Sequence, residues 1–134
     1  MANSKMTQLW FSKAKGDLLA AKYLEQAGDD HLYVSIAFHC QQSAEKAIKG
    51  YLTYNNKRVL KTHDMEKLLK TLHSIDPDLS AELGALNDFT NYAVLYRYPD
   101  TELEIKPLTR NKIKEVIALT DKAFTLLAKE IGGG

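Results

Sequence analysis

The stretch Ser35-Ile-Ala-Phe-His-Cys-Gln-Gln-Ser-Ala-Glu-Lys-Ala-Ile-Lys-Gly-Tyr-Leu52 decides how the chain reads. Ile36, Cys40, Ala44, Ala47, Ile48 and Tyr51 recur at intervals of three and four, which places them on one apolar face of a long helix. His39, Ser43, Lys46 and Gly50 line one flank of that face, where a groove or a two-fold contact could use them. Phe38, Gln41, Gln42, Glu45 and Lys49 line the other. Glu45 and Lys49 stand four apart in the favourable order and read as a modest surface ion pair.

Upstream, a first helix is expected from about Met6 to Ala27. Leu9, Trp10, Ala14, Leu18, Ala21 and Leu24 make its core face, and Lys13, Asp17, Lys22 and Glu25 its wet side. Gly16 inside the run marks close approach of a neighbouring helix, and Gly28 supplies a left-handed stop. Asp29 and Asp30 put acidic, capping-capable groups at the start of the central helix.

Downstream, Asn55-Asn-Lys-Arg58 ends the central helix and Val59 to Thr62 reads as extended. Thr62 is the expected cap of a short third helix whose Met65, Leu68, Leu69 and Leu72 face inward. Asp76 caps and Pro77 opens a fourth helix, with Leu79, Leu83, Leu86 and Ala93 inward, ending near Pro99. After a polar linker, Thr109 caps a fifth, carrying Ile113, Val116, Ile117, Thr120, Phe124, Leu127 and Ile131. No segment alternates with period two for long enough to be a strand. The expected fold class is all-α, an up-and-down bundle of about five helices. One domain spans residues 1–134, with an ordered core at about 6–131 and a flexible tail at 132–134.

Composition bounds the function. A chain of 134 residues with net charge +1 has no global basic field for non-specific DNA binding. The single cysteine, Cys40, excludes an internal disulfide. The polar start Met-Ala-Asn-Ser-Lys is no signal peptide, and no apolar run has the length of a membrane span, so a cytoplasmic protein is expected. His31, His39, His63 and His73 lack the spacing that gathers ligands on one metal, and no glycine-rich phosphate loop is present. No metal or cofactor is implied.

Two clusters carry candidate chemistry. In Arg58-Val-Leu-Lys-Thr-His63 the histidine could move a proton in metal-free RNA cleavage while the arginine stabilises the phosphorane charge. The plainer reading makes Arg58 a solvated loop charge and His63 a group bonded at a helix start. In Tyr92-Ala-Val-Leu-Tyr-Arg-Tyr-Pro-Asp100, Tyr92 and Tyr96 share a helix face and Arg97 can pair with Asp100 or bind phosphate. The plainer reading docks these tyrosines on the core.

Trp10 with Ala14, Asp17, Leu18 and Ala21, then Gln41-Gln-Ser-Ala-Glu-Lys-Ala-Ile-Lys49, Thr62-His-Asp-Met65 and Arg97-Tyr-Pro-Asp100, resemble the HEPN domain family in order and approximate spacing. The resemblance implies a homodimer whose long helices pack about a two-fold. It also implies a link to nucleotide binding or to metal-independent RNA cleavage, and association with a separately encoded minimal nucleotidyltransferase, some such pairs acting as toxin and antitoxin. Cleaving members carry an arginine followed four to six residues later by a histidine on a late helix. Here no histidine follows Arg97, and the spacing occurs instead from Arg58 to His63.

The expected function is therefore a nucleotide- or RNA-binding homodimer working with such a nucleotidyltransferase. Its binding residues would be Glu45, Lys49, His63, Asp64, Tyr92, Tyr96, Arg97 and Asp100. The alternative is an endoribonuclease toxin using His63 with Arg58 or Arg97, and a second alternative is a purely structural adaptor.

Overall fold

The structure is a computed structural model that describes residues 2–59, 61–88 and 107–132, with side chains from residue 4 onward. Helices α1 (Ala2–Gln26) and α2 (Tyr33–Tyr54) form its central pair. They run antiparallel: Phe11 meets Gly50, Ala14 meets Ser43 and Asp17 meets His39, one number rising as the other falls. The seam is made of small side chains. Ala14, Ala21, Ala44 and Ala47 are all sealed from water, which brings the two backbones close.

The chain reverses between them by local chemistry. Gly28 takes φ +67, the left-handed conformation that glycine enters without strain. Asp29 then accepts a hydrogen bond from the His31 backbone N–H at 3.0 Å and caps a single 3-10 turn, Asp30–Leu32, that leads into α2.

The inward face of α2 is the expected one: Ile36, Cys40, Ala44, Ala47, Ile48 and Tyr51 are buried. On α1 the rotation differs from expectation. Leu9 is 49% exposed, and Phe11 is buried in its place. Leu9-Trp10-Phe11 are three consecutive large residues, so spacing alone does not select among them. Gly50 does, because a Cβ there would lie 2.8 Å from two atoms of the Phe11 ring. Gly16, expected at a close approach, has no atom within 4 Å of where its Cβ would stand.

Helix α3 (Met65–Ile75) buries Met65, Leu68, Leu69 and Leu72 as expected, but its cap is Asp64, which accepts from the Glu66 N–H at 3.0 Å. Thr62 braces that cap by accepting from the Asp64 N–H at 3.0 Å. Asp76 caps α4 (Pro77–Glu82) through the Leu79 N–H, with Pro77 in the first turn. The continuous fourth helix expected toward Pro99 is not what forms: α4 stops at Glu82 and a 3-10 segment, Gly84–Asp88, carries the chain on. Leu79, Leu83 and Leu86 still reach the core. Residues 89–106, and with them Tyr92, Tyr96, Arg97 and Asp100, lie outside the described residues.

Helix α5 (Arg110–Gly132) begins at Thr109, whose hydroxyl accepts from the Lys112 N–H at 3.1 Å. Ile113, Val116, Ile117, Thr120, Ala123 and Leu127 close the core against α1 and α2. Phe124 meets Phe11 edge to face at 5.9 Å, and Asp121 pairs with Lys22 at 2.9 Å. Among the described residues all regular structure is helical, and no helix is long and apolar enough to cross a membrane.

Candidate functional site

The polar flank of α2 is a buried network. Gln41, Glu45 and Lys49 follow one another at four-residue intervals and are 3%, 1% and 8% exposed. Placing a carboxylate there requires partners, because an ion stripped of water and left unpaired is very costly. Glu45 has two: its Oε1 accepts from Gln41 Nε2 at 2.7 Å, and its Oε2 lies 3.0 Å from His63 Nδ1.

His63 reaches Glu45 because the segment after α2 folds back. Tyr51 and Thr53 carbonyls close the helix end, and Asn56 takes φ +60 to turn the chain. The Thr62–Asp64 turn then holds the residue between them at the mouth of the network, where the His63 side chain is 76% exposed. One imidazole nitrogen is thus held against a buried carboxylate, a contact that orients the ring.

The network is unfinished on two sides. Since a carboxylate only accepts, Gln41 must present Nε2 to Glu45, which turns its Oε1 away as a buried acceptor with no hydrogen-bond partner. Lys49 does not pair with Glu45, contrary to the surface-pair expectation. Its Nζ sits 5.8 Å from the centre of the Trp10 ring, and no described carboxylate is within ion-pair distance.

The remaining expected residues fall as follows. Asp64 is near the mouth but its carboxylate caps α3. Arg58 is exposed in the loop and makes no ion pair with any described residue, so nothing draws it to His63.

The opposite flank of α2 is not an open groove. Ser43 donates to the Ala14 carbonyl at 2.8 Å, and Asp17 of α1 accepts from Lys46 at 2.6 Å and lies 3.0 Å from His39 Nδ1. Asp17 is therefore a clasp on the α1–α2 seam and not a wet-side residue. Gln41, Trp10 and this clasp are absent from the binding residues expected on sequence grounds. For Gln41 the four-residue step to Glu45 is the one signal that residue order offers.

Among the described residues, Asp29, Asp30 and His31 are the one grouping of three metal-ligating side chains whose ligand atoms approach within 4.8 Å of one another, and all three are exposed. They satisfy each other. Hydrogen bonds from His31 hold the Asp29 carboxyl below its ordinary range, and Asp29 raises the His31 imidazole.

Comparison with known proteins places the fold. The fold matches the crystal structure of TT1696 from Thermus thermophilus with a TM-score of 0.73 and 25% identity, over 92% of this chain and 96% of that one. It matches that of ST0689, an archaeal HEPN homologue, with a TM-score of 0.70 and 24% identity, over 93% and 97%. Comparison with curated proteins returns no match. The family model of the HEPN domain matches residues 7–131, from the first turns of α1 to the last turn of α5. The chain belongs to the HEPN domain family.

Proposed function

We propose that this HEPN-domain protein binds a nucleotide or RNA phosphate at the Gln41–Glu45–Lys49–His63 network. In this reading it acts as a homodimer with a separately encoded minimal nucleotidyltransferase, in a toxin–antitoxin-like pair. One observation carries the binding reading. Lys49 is 8% exposed, and its ammonium has a π face, but no described carboxylate, for company. A phosphate oxygen is an acceptor to which such a group donates at short range. The unpartnered Gln41 Oε1 calls for a donor, which a ribose hydroxyl or a base amine supplies. His63 stands at the mouth of the same site, its Nδ1 3.0 Å from Glu45 Oε2.

The test is a thermal-shift series with ATP, GTP and a short single-stranded RNA, on the native chain and on Lys49→Met. The native chain is expected to melt higher with at least one ligand, by about 2.7 kcal/mol of stabilisation at a hundredfold excess over Kd. Lys49→Met should keep its fold and lose the shift. If no ligand moves the native chain, the reading fails.

A second reading has its own observation, the His63 Nδ1–Glu45 Oε2 contact at 3.0 Å. A histidine so oriented is equipped to take the 2′-hydroxyl proton in metal-independent RNA cleavage, with Arg58 or Arg97 stabilising the phosphorane. That enzyme would cleave RNA in EDTA and lose the activity in His63→Ala. Absence of both ligand shift and cleavage, with a nucleotidyltransferase still retained, would leave the structural adaptor.

A further inference from the structure

We infer that the cleft between the α1–α2 corner and the first turns of α5 binds a small zwitterion of the amino-acid class, with an ammonium and a carboxylate a few bonds apart. The cleft shares no residue with the Gln41–Glu45–Lys49–His63 network and does not depend on nucleotide binding there.

Its volume is about 860 Å³, within the roughly 300–1,000 Å³ of small-molecule sites. Segments far apart in sequence build it: the end of α1 at Glu25, the corner with Tyr33 behind it, and Arg110, Ile113 and Lys114 of α5. Two of its walls are charged, with opposite sign. Glu25, Asp29 and Asp30 come from the corner, and Arg110 and Lys114 come from α5.

These walls do not close on each other. Among the described residues Lys22 pairs with Asp121 and Lys112 lies 3.6 Å from Glu115, while Glu25, Arg110 and Lys114 make no ion pair. Glu25 is half-buried, so its carboxylate gives up hydration with no ion pair in return. Helix stability does not explain the bases either. A first turn favours acids, which meet the positive end of the helix, yet α5 opens with Arg110, Lys112 and Lys114 and has no acid before Glu115. Residues set against their local preference mark a functional demand.

Charge selects the ligand. Asp29 and Asp30 are already held by His31, at 2.9 and 3.4 Å, so Glu25 is the corner carboxylate left for a ligand. Glu25 suits an ammonium. The planar guanidinium of Arg110 suits a carboxylate, taken through two N–H donors, with Lys114 one turn on. A polyanion such as a nucleoside triphosphate would meet the acids of the corner, and a polyamine would meet the bases of α5. A molecule with one charge of each sign satisfies both walls at once. Ile113 and the half-buried Tyr33 also line the cleft and offer apolar surface to the ligand's side chain.

The experiment is a thermal-shift screen of the full chain with the common free amino acids and dialanine, followed by calorimetric titration of the best binder. The native chain is expected to melt higher with at least one of them. The N-acetyl and amide derivatives of that ligand each lack one charge and should bind about tenfold more weakly or worse. The unmodified ligand should lose as much on Glu25→Gln and on Arg110→Gln, with urea midpoints near the native one confirming their fold. The derivative comparison uses the native chain, so it holds even where a variant fails to fold. If nothing in the screen moves the native chain, the inference fails. Equal binding of the N-acetyl form makes the cleft a site for anions alone, equal binding of the amide a site for cations alone, and either overturns it. Binding that survives both substitutions puts the ligand elsewhere and overturns it as well.

Discussion

Replacing Gly50 with alanine sets two opposing effects against each other, and the structure decides the sign. Alanine in a helix interior gains about 1 kcal/mol over glycine. At position 50 the added Cβ would lie 2.8 Å from Phe11 Cδ2 and Cε2 and 3.0 Å from Trp10 Cβ. Carbon atoms at that separation must part by several tenths of an ångström. The Phe11 ring has no room to retreat, being buried and edge-on to Phe124 at 5.9 Å. Trp10 Cβ moves only with the α1 backbone. Overpacking of this kind costs about 1–3 kcal/mol, so Gly50→Ala should be destabilised by about 0–2 kcal/mol net of the propensity gain. The same exchange at Gly16, where the Cβ meets nothing, should stabilise by about 0.5–1 kcal/mol when measured on the monomer. Urea unfolding of both variants reads the contrast, because a slope of about 1–3 kcal/mol per molar turns it into a midpoint separation of roughly 1 M. Gly50→Ala unfolding above the native midpoint, or level with Gly16→Ala, would refute the account of the α1–α2 seam.

Two further predictions concern buried groups. Burial pushes the Cys40 thiol up to about 11, only partly offset by its hydrogen bond with Thr120. Its folded value is raised, so the neutral thiol's contribution is fully present below about pH 9 and lost as pH rises through about 11. Native protein should therefore resist thiol reagents at pH 8 and react fully in urea, and rapid native labelling would show the site to be open. Glu45→Ala removes the acceptor of Gln41 Nε2 and leaves that buried amide without any partner, which should cost about 1–3 kcal/mol. Glu45→Gln keeps an accepting oxygen and should cost less, and equal unfolding midpoints for the two variants would contradict the network described.

The histidine contact with Glu45 shows why such a site is hard to read from residue order. Gln41 and Glu45 are one helical turn apart, but His63 is 18 positions from Glu45 and arrives through the turn at Asn56 and the Thr62–Asp64 brace. The Asp17 clasp spans 22 positions to His39 and 29 to Lys46. A pair at such distances has no periodic signature, and each of these residues taken alone looks like a solvated charge.

What the residue order by itself determined is what short-range geometry controls. The 3.6-residue period of Ile36 to Tyr51 set the buried face of α2. Backbone chemistry at Gly28, at Asp76-Pro77 and at Thr109 set where helices stop and restart, since caps act within one turn. Tertiary structure decided which rotation of α1 faces inward, because Leu9, Trp10 and Phe11 compete equally until Gly50 offers a space that the ring of Phe11 fills. It also decided that Glu45 and Lys49 are buried and apart. The energy of a charged group depends on which partners the fold brings to it, and that depends on the whole chain.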